Sequence, residues 1–109
     1  MISKPKIFVS YTIRDNSINI ELLSRLEEFL KAFSSPFIDL LHNDSIDKQK
    51  RIEDELKATD FFLLLETKNV LDSPWVVKEL LIALKLNVPI KIISLNNLMP
   101  ITNRLPQCG

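Results

Sequence analysis

The run Asp60-Phe61-Phe62-Leu63-Leu64-Leu65 shows no alternation between apolar and polar residues. A strand written this way is apolar on both faces, and it belongs in the middle of a parallel sheet covered by helices on either side. That segment directs the chain to an α/β architecture. With 109 residues, 46% of them hydrophobic, there is room for one such core and not for a second domain.

The flanking segments agree. Lys6-Ile7-Phe8-Val9-Ser10-Tyr11 is a β-rich run just after Pro5 and reads as a first, buried strand. Ile18, Leu22, Leu26, Phe29, Leu30 and Phe33 then recur at the three-and-four spacing of a helix with one face in the core, stopped by Ser34-Ser35-Pro36. Phe37 to Leu41 reads as a second strand, followed by a loop, His42 to Ser45, whose Asp or Ser is expected to cap the next helix. That helix, Asp47 to Ala58, is highly charged with Ile52 and Leu56 as its main apolar positions. A further helix begins at Ser73-Pro74 and ends near Leu86, with Asn87 as its C-terminal cap and Pro89 beyond. Val88 to Leu95 is a fourth strand. Strands alternating with helices require crossovers of one hand and an open parallel sheet, expected in the flavodoxin-like order 2-1-3-4. The core is expected over 6–95, and 96–109, which contains two prolines, as an irregular tail or a short edge strand.

Composition removes several function classes. Lys plus Arg equals Asp plus Glu at 14 each, so nucleic acid and anionic membranes have no basic surface to meet. The one glycine is the last residue, Gly109, and neither a Walker loop nor a G-x-G-x-x-G fingerprint can be written without others. The apolar runs are short beside the roughly 20 residues that span a bilayer, and the start leads directly into a strand without a signal-peptide core. A cytoplasmic location is expected, which suits the lone thiol, Cys108.

The chemistry is concentrated in Ser73-Pro74-Trp75-Val76-Val77-Lys78-Glu79-Leu80. Pro directly after Ser suits the first helical position, and residues four apart stack, so Trp75 and Glu79 share a face. On a helical wheel Val76, Val77, Leu80, Ala83 and Leu84 form the core face, and Trp75, Glu79, Ile82 and Leu86 line a flank suited to a ligand crevice or a partner surface. In an open parallel sheet ligands bind beyond the carboxyl ends of the strands, at the point where the connections diverge. For order 2-1-3-4 that point lies between strands one and three. It is bordered by the loops Tyr11 to Ser17 and Glu66 to Ser73, which brings Tyr11, Arg14, Trp75 and Glu79 together. The arrangement is the one expected where a nucleotide's sugar and base are handled.

Four segments in this order resemble Toll/interleukin receptor (TIR) domains. Ile7-Phe8-Val9-Ser10-Tyr11 followed by Arg14-Asp15 is similar to the family's first box, Phe37-Ile38-Asp39 to its second strand, and Ile52 to Leu65 to its second helix and third strand. Ser73 to Leu80 resembles its Ser-x-Trp-x-x-x-Glu-Leu segment, and the match runs from residue 6 to about 95. The resemblance implies the flavodoxin-like fold and, for many members, cleavage of NAD at the nicotinamide–ribose bond. Glu79 would then be the catalytic carboxylate, and Ser10, Tyr11, Arg14 and Trp75 would bind substrate. NAD would be a substrate rather than a cofactor. Because nicotinamide leaves a cationic pyridinium as a neutral molecule, one ionised Glu is enough to stabilise the oxocarbenium-like ribose. The resemblance further implies self-association, since a neighbouring TIR domain completes the site in such members, and a role in signalling or defence. The alternative it carries is a non-catalytic module that binds other TIR domains. The loop His42 to Ile46 lacks the Pro and Gly often found there in the family.

Other readings fit less well. His42, Asp44 and Asp47 are close in sequence, but capping explains the acids, and no metal is expected. A phosphorelay receiver needs acids at the ends of strands one and three, whereas strand one ends Ser10-Tyr11. A nucleoside deoxyribosyltransferase is the enzyme rival, since it too directs a Glu at a ribose from a related sheet.

Overall fold

The computed structural model describes residues 4–13 and 18–94. Its strands are β1 (Lys6–Ser10), β2 (Ser35–Ile38), β3 (Phe61–Glu66) and β4 (Ile90–Ser94), all paired in parallel in the order β2-β1-β3-β4. The helices are α1 (Ile20–Lys31), α2 (Asp39–His42), α3 (Lys48–Ala58) and α4 (Pro74–Lys85). This is the expected α/β, flavodoxin-like sheet. The residues expected to form a tail, 96–109, lie outside the described ones.

β3 takes the central place its sequence demands, with Phe62 to Leu65 all buried. Successive side chains of a strand point to opposite faces, and this sheet divides its core accordingly. On one face Val9, Ile38, Leu63 and Leu65 pack against Ile18, Leu22, Leu23, Leu26 and Leu30. On the other face Phe8, Phe37, Phe62 and Leu64 pack against Ile52 and Leu56 of α3, Val70, and Val76 and Ala83 of α4. Phe8 stacks on Phe37 and Phe62 with ring centroids 5.5 and 5.7 Å away, tying three strands together. Each fully buried side chain of this size contributes about 1.5–3 kcal/mol.

α4 has the termini its sequence predicts. Ser73 Oγ accepts from the Val76 N–H, Pro74 occupies the first turn, and Asn87 adopts a left-handed φ of 60° beyond the last turn. There the Val88 N–H reaches the Ala83 carbonyl and the Asn87 N–H reaches Leu84, a Schellman closure. The α3 cap is Asp47, whose Oδ1 accepts from the Lys50 N–H, rather than Asp44 or Ser45.

The second strand departs from expectation. Only Ser35–Ile38 is extended, and Asp39 to His42 turns into α2. Pro36, expected as a breaker, sits inside β2, which is tolerable because β2 is an edge strand. The turn is fixed by tertiary bonds that no periodicity announces: the Leu40 N–H donates to the Tyr11 hydroxyl and the Ile38 N–H to His42 Nδ1. His42 Nε2 meets Glu27 on α1. None of the described helices is long and apolar enough to cross a membrane.

Candidate active site

Ser10 and Glu79 form the centre of the site. Along β1, Phe8 and Ser10 point to the α4 face, so the last residue of a buried strand presents a hydroxyl where the pattern would otherwise place another apolar group. On α4, Val76, Glu79 and Ala83 are the buried positions, a three-and-four stripe aimed at the sheet. The two meet: Ser10 Oγ–H donates to Glu79 Oε1 at 2.9 Å. Glu79 therefore lies in the core stripe, 9% exposed, rather than on the flank the wheel assigned it, while Leu84, expected in the core, is 55% exposed. A wheel weighted by apolarity cannot register a carboxylate drawn inward by a buried hydroxyl.

Burial raises the Glu79 carboxyl from its usual 4.5 to about 7; the Ser10 hydrogen bond opposes the rise and the charge of Asp39 adds to it. Near neutrality this group exchanges its proton readily, a property of carboxylates that do chemistry. Tyr11 moves the other way in function. Burial, with smaller contributions from Asp39 and Glu79 against the Leu40 hydrogen bond, pushes its hydroxyl up to about 12. It stays protonated at neutral pH. Since its oxygen already accepts from Leu40, the Tyr11 proton is the part left for a ligand.

Above Glu79 opens a cavity of about 440 Å³ at the carboxyl end of the sheet. Tyr11 to Ile13 line it from the end of β1, Asp39 and Leu40 from α2, Lys48, Gln49 and Ile52 from α3, and Ser73, Trp75 and Glu79 from α4. A volume of this size suits a small organic ligand. Tyr11, Trp75 and Glu79 are thus brought to one cavity from the candidate set. Ser10, expected at the ligand, is 1% exposed and stands beneath Glu79, not in the cavity wall. Arg14 lies outside the described residues. Trp75 stands at the rim, 58% exposed, with the Lys78 ammonium 5.7 Å from its ring centre.

The cavity is displaced from the place topology assigned. Of the expected border Glu66 to Ser73 only Ser73 reaches it, because Val70 to Asp72 wind into a short 3-10 turn and bury Val70 in the core. The wall that replaces this loop is α2 and the start of α3. Asp39, Lys48 and Gln49 were therefore missed as candidates. Asp39 carried a usable signal, being an acid at the carboxyl end of the second strand. Asp39 Oδ1 accepts from Asn43 Nδ2 at 2.6 Å, and Lys48 Nζ donates to the Asn43 carbonyl at 2.6 Å. Gln49 Nε2 donates to Glu53, but its Oε1 is buried without a hydrogen-bond partner among the described residues. The residues weighed as metal ligands are otherwise engaged: Asp47 caps α3, Asp44 lies 3.7 Å from Arg51, and His42 holds the α2 turn.

No family model matches the sequence, and no curated protein matches it. Solved structures do. A 2-deoxyribosyltransferase from the psychrotolerant bacterium Bacillus psychrosaccharolyticus, characterised for the synthesis of nucleosides, aligns with a TM-score of 0.61 and 19% identity over 82% of this chain and 72% of its own. A CMP N-glycosidase from Clostridium botulinum aligns with a TM-score of 0.60 and 15% identity over 92% of this chain and 96% of its own. At such identities the likeness is one of fold. It nonetheless overturns the TIR resemblance: both of these structures are enzymes of nucleosides and nucleotides, not TIR domains. The segments that suggested TIR have local explanations. Ser73-Pro74 is helix-start chemistry, and Phe8 and Phe37 are sheet packing. Assembly with TIR domains and a defence role rested on that resemblance and lose its support.

Proposed function

We propose that this chain is an enzyme that breaks the N-glycosidic bond of a nucleoside or nucleotide, with Glu79 as the carboxylate facing the anomeric carbon. The observation that carries this reading is the placement of Glu79: a buried acid, held by Ser10, lining a half-open cavity beyond the strand ends. The likeness of fold to a 2-deoxyribosyltransferase and a CMP N-glycosidase supports it.

In the reaction the bond between C1′ and the base nitrogen breaks and its electron pair leaves with the base. Positive charge then develops on C1′ and the ring oxygen. An ionised Glu79 in a low-dielectric cavity stabilises that charge far more than it would in water. The carbon is finally taken by water, in hydrolysis, or by a second base, in transfer. A neutral base needs a proton as it leaves, and the protonated Tyr11 hydroxyl is the donor nearest in kind. A cationic base such as the nicotinamide of NAD needs none, so NAD belongs among the substrates to be tried. Gln49 Oε1, without a partner among the described residues, suits an amino or amide N–H on the base. Trp75 offers its ring as a stacking surface at the rim.

The test is chromatographic detection of free base from NAD, CMP, cytidine, adenosine and 2′-deoxyadenosine, with and without a second base as acceptor. At least one substrate is expected to lose its base, and Glu79→Gln, folded by circular dichroism, is expected to reduce the rate at least about a hundredfold. Because the ionised carboxylate is required, kcat/KM should rise with pH through about 7. Release of base by folded Glu79→Gln at the wild-type rate would remove the assignment.

A further inference from the structure

The cavity holds a second carboxylate whose position the cleavage chemistry does not by itself require. Asp39 is the first residue of α2, directly after β2, and it lines the same cavity as Glu79, near enough for its charge to act on that carboxyl. Its first oxygen is spoken for: Oδ1 accepts from Asn43 Nδ2, and Asn43 is itself buried and tied to Lys48. The α2 turn that carries it is fastened on both sides, by Tyr11 at Leu40 and by His42 at Ile38. Asp39 is thus presented in a fixed place.

We propose that Asp39 is the specificity-determining residue for the sugar, accepting hydrogen bonds from the 2′- and 3′-hydroxyls of a riboside while Glu79 faces the anomeric carbon. The proposal rests on the N-glycosidic reading of the site. A carboxylate offers about four lone-pair positions on two oxygens, so an Asp that spends one on Asn43 keeps enough for a vicinal diol. The chemistry of the other lining residues sorts the ligand in the same direction. Gln49, with an acceptor lacking a partner among the described residues, and Trp75, with its exposed ring, suit the base, which leaves the sugar between Asp39 and Glu79. A 2′-deoxy sugar would satisfy only half of this arrangement and leave part of the carboxylate desolvated without a partner, which is the source of strong discrimination by polar sites.

Asp39→Asn separates this role from a structural one. Asparagine is isosteric and keeps an Oδ1 to accept from Asn43, but replaces the other oxygen with a donor. Among the described residues, the titratable and charged groups that line the cavity with Glu79 are Tyr11 from the end of β1, Asp39 from α2 and Lys48 from α3. Removing the Asp39 charge leaves the other two in place and should lower the pH midpoint of kcat/KM, a shift that a packing role would not produce.

The experiment measures binding by calorimetry to Glu79→Gln, and to Glu79→Gln combined with Asp39→Asn. The ligands are paired ribosides and 2′-deoxyribosides: cytidine and 2′-deoxycytidine, adenosine and 2′-deoxyadenosine. Base release by the wild type and by Asp39→Asn is assayed in parallel. The expected result is tighter binding of the ribosides, weakened at least tenfold by Asp39→Asn, with the deoxyribosides, which keep only the 3′-hydroxyl contact, weakened by a clearly smaller factor. Equal loss for both sugars, or loss for neither, overturns the Asp39 proposal while a cleavage reaction that depends on Glu79 leaves the wider reading standing. If none of these nucleosides binds, the Asp39 proposal is overturned, and if NAD and CMP also keep their bases the wider reading is overturned with it.

Discussion

Helices α1 and α4 are each 12 residues long and each begins with a side-chain cap, Asn19 on Leu22 and Ser73 on Val76, yet they bury different chemistry. α1 presents Leu22, Leu23, Leu26 and Leu30 to the sheet, while α4 presents Val76, Glu79 and Ala83. One face of the sheet is sealed with leucine; the other has a carboxylate placed where a leucine would fit. A protein that only needed to fold would gain by replacing the acid, since burying a charged group is costly unless it is neutralised or well paired. The difference separates the two tasks. The α1 face supplies stability, and the α4 face gives some of it up to hold an ionisable group.

The largest effect that would test this division is on the α1 side. Leu26→Ala, in the middle of the sealed face, should destabilise the fold by about 2–5 kcal/mol in urea titration. Its ligand affinity, measured well below the unfolding midpoint, should stay within a factor of about three of wild type, because no residue of α1 lines the cavity. Selective loss of binding in a folded Leu26→Ala protein would break the comparison.

The next effect belongs to Glu79 itself. Its folded carboxyl titrates near 7 against 4.5 when unfolded, so the folded state holds the proton more tightly. The associated stability is fully present below about pH 4.5 and is lost as pH rises through about 7. A shift of this size corresponds to about 3 kcal/mol. Between pH 5 and pH 8 the wild type should therefore lose stability from this group, and Glu79→Gln, which keeps an acceptor for Ser10 without a titrating proton, should lose much less over the same interval. Denaturant titration at the two pH values decides it. The same window should see kcat/KM rise, so stability and activity run in opposite directions; a wild type as stable at pH 8 as Glu79→Gln would show that the acid places no strain on α4.

How much of this was legible depends on where the determining forces lie. β3, the Ser73-Pro74 start and the Asn87 stop of α4 could be read because burial on both faces, capping and a left-handed φ are local demands on residue type. So could the order 2-1-3-4, which follows from alternation and the placement of the most apolar strand. α2 could not be read. A four-residue helix has no period to detect, and this one is held by Tyr11 and His42 from distant or nonperiodic positions. Because α2 forms a wall of the cavity, Asp39, Lys48 and Gln49 stayed hidden with it. Glu79 was found as a candidate for its spacing from Trp75, but its inward orientation comes from Ser10, 69 positions away along the chain. The TIR resemblance failed for the converse reason: its segments report strand ends and helix starts, which different families of this sheet share.

Trp75 gives the smallest expected effect and the sharpest contrast with Leu26. It begins the same helix that carries Glu79, one turn earlier, but sits at the cavity rim with most of its surface exposed. An exposed side chain contributes little to folding, so Trp75→Ala should change stability by no more than about 1 kcal/mol. The Lys78 contact above the ring belongs to an exposed pair and adds only about 0.5–1 kcal/mol at most. A base stacked on the indole would lose a surface worth about 1–3 kcal/mol, by analogy with single-stranded nucleic acids. KM should therefore rise about fivefold or more with kcat nearly unchanged, since stacking acts equally on ground state and transition state. A Trp75→Ala protein that is equally stable and keeps its KM would mean that the base does not reach the rim. The ring would then only shield the Lys78 stem, and recognition of the base would fall to Gln49 and Tyr11 at the depth of the cavity.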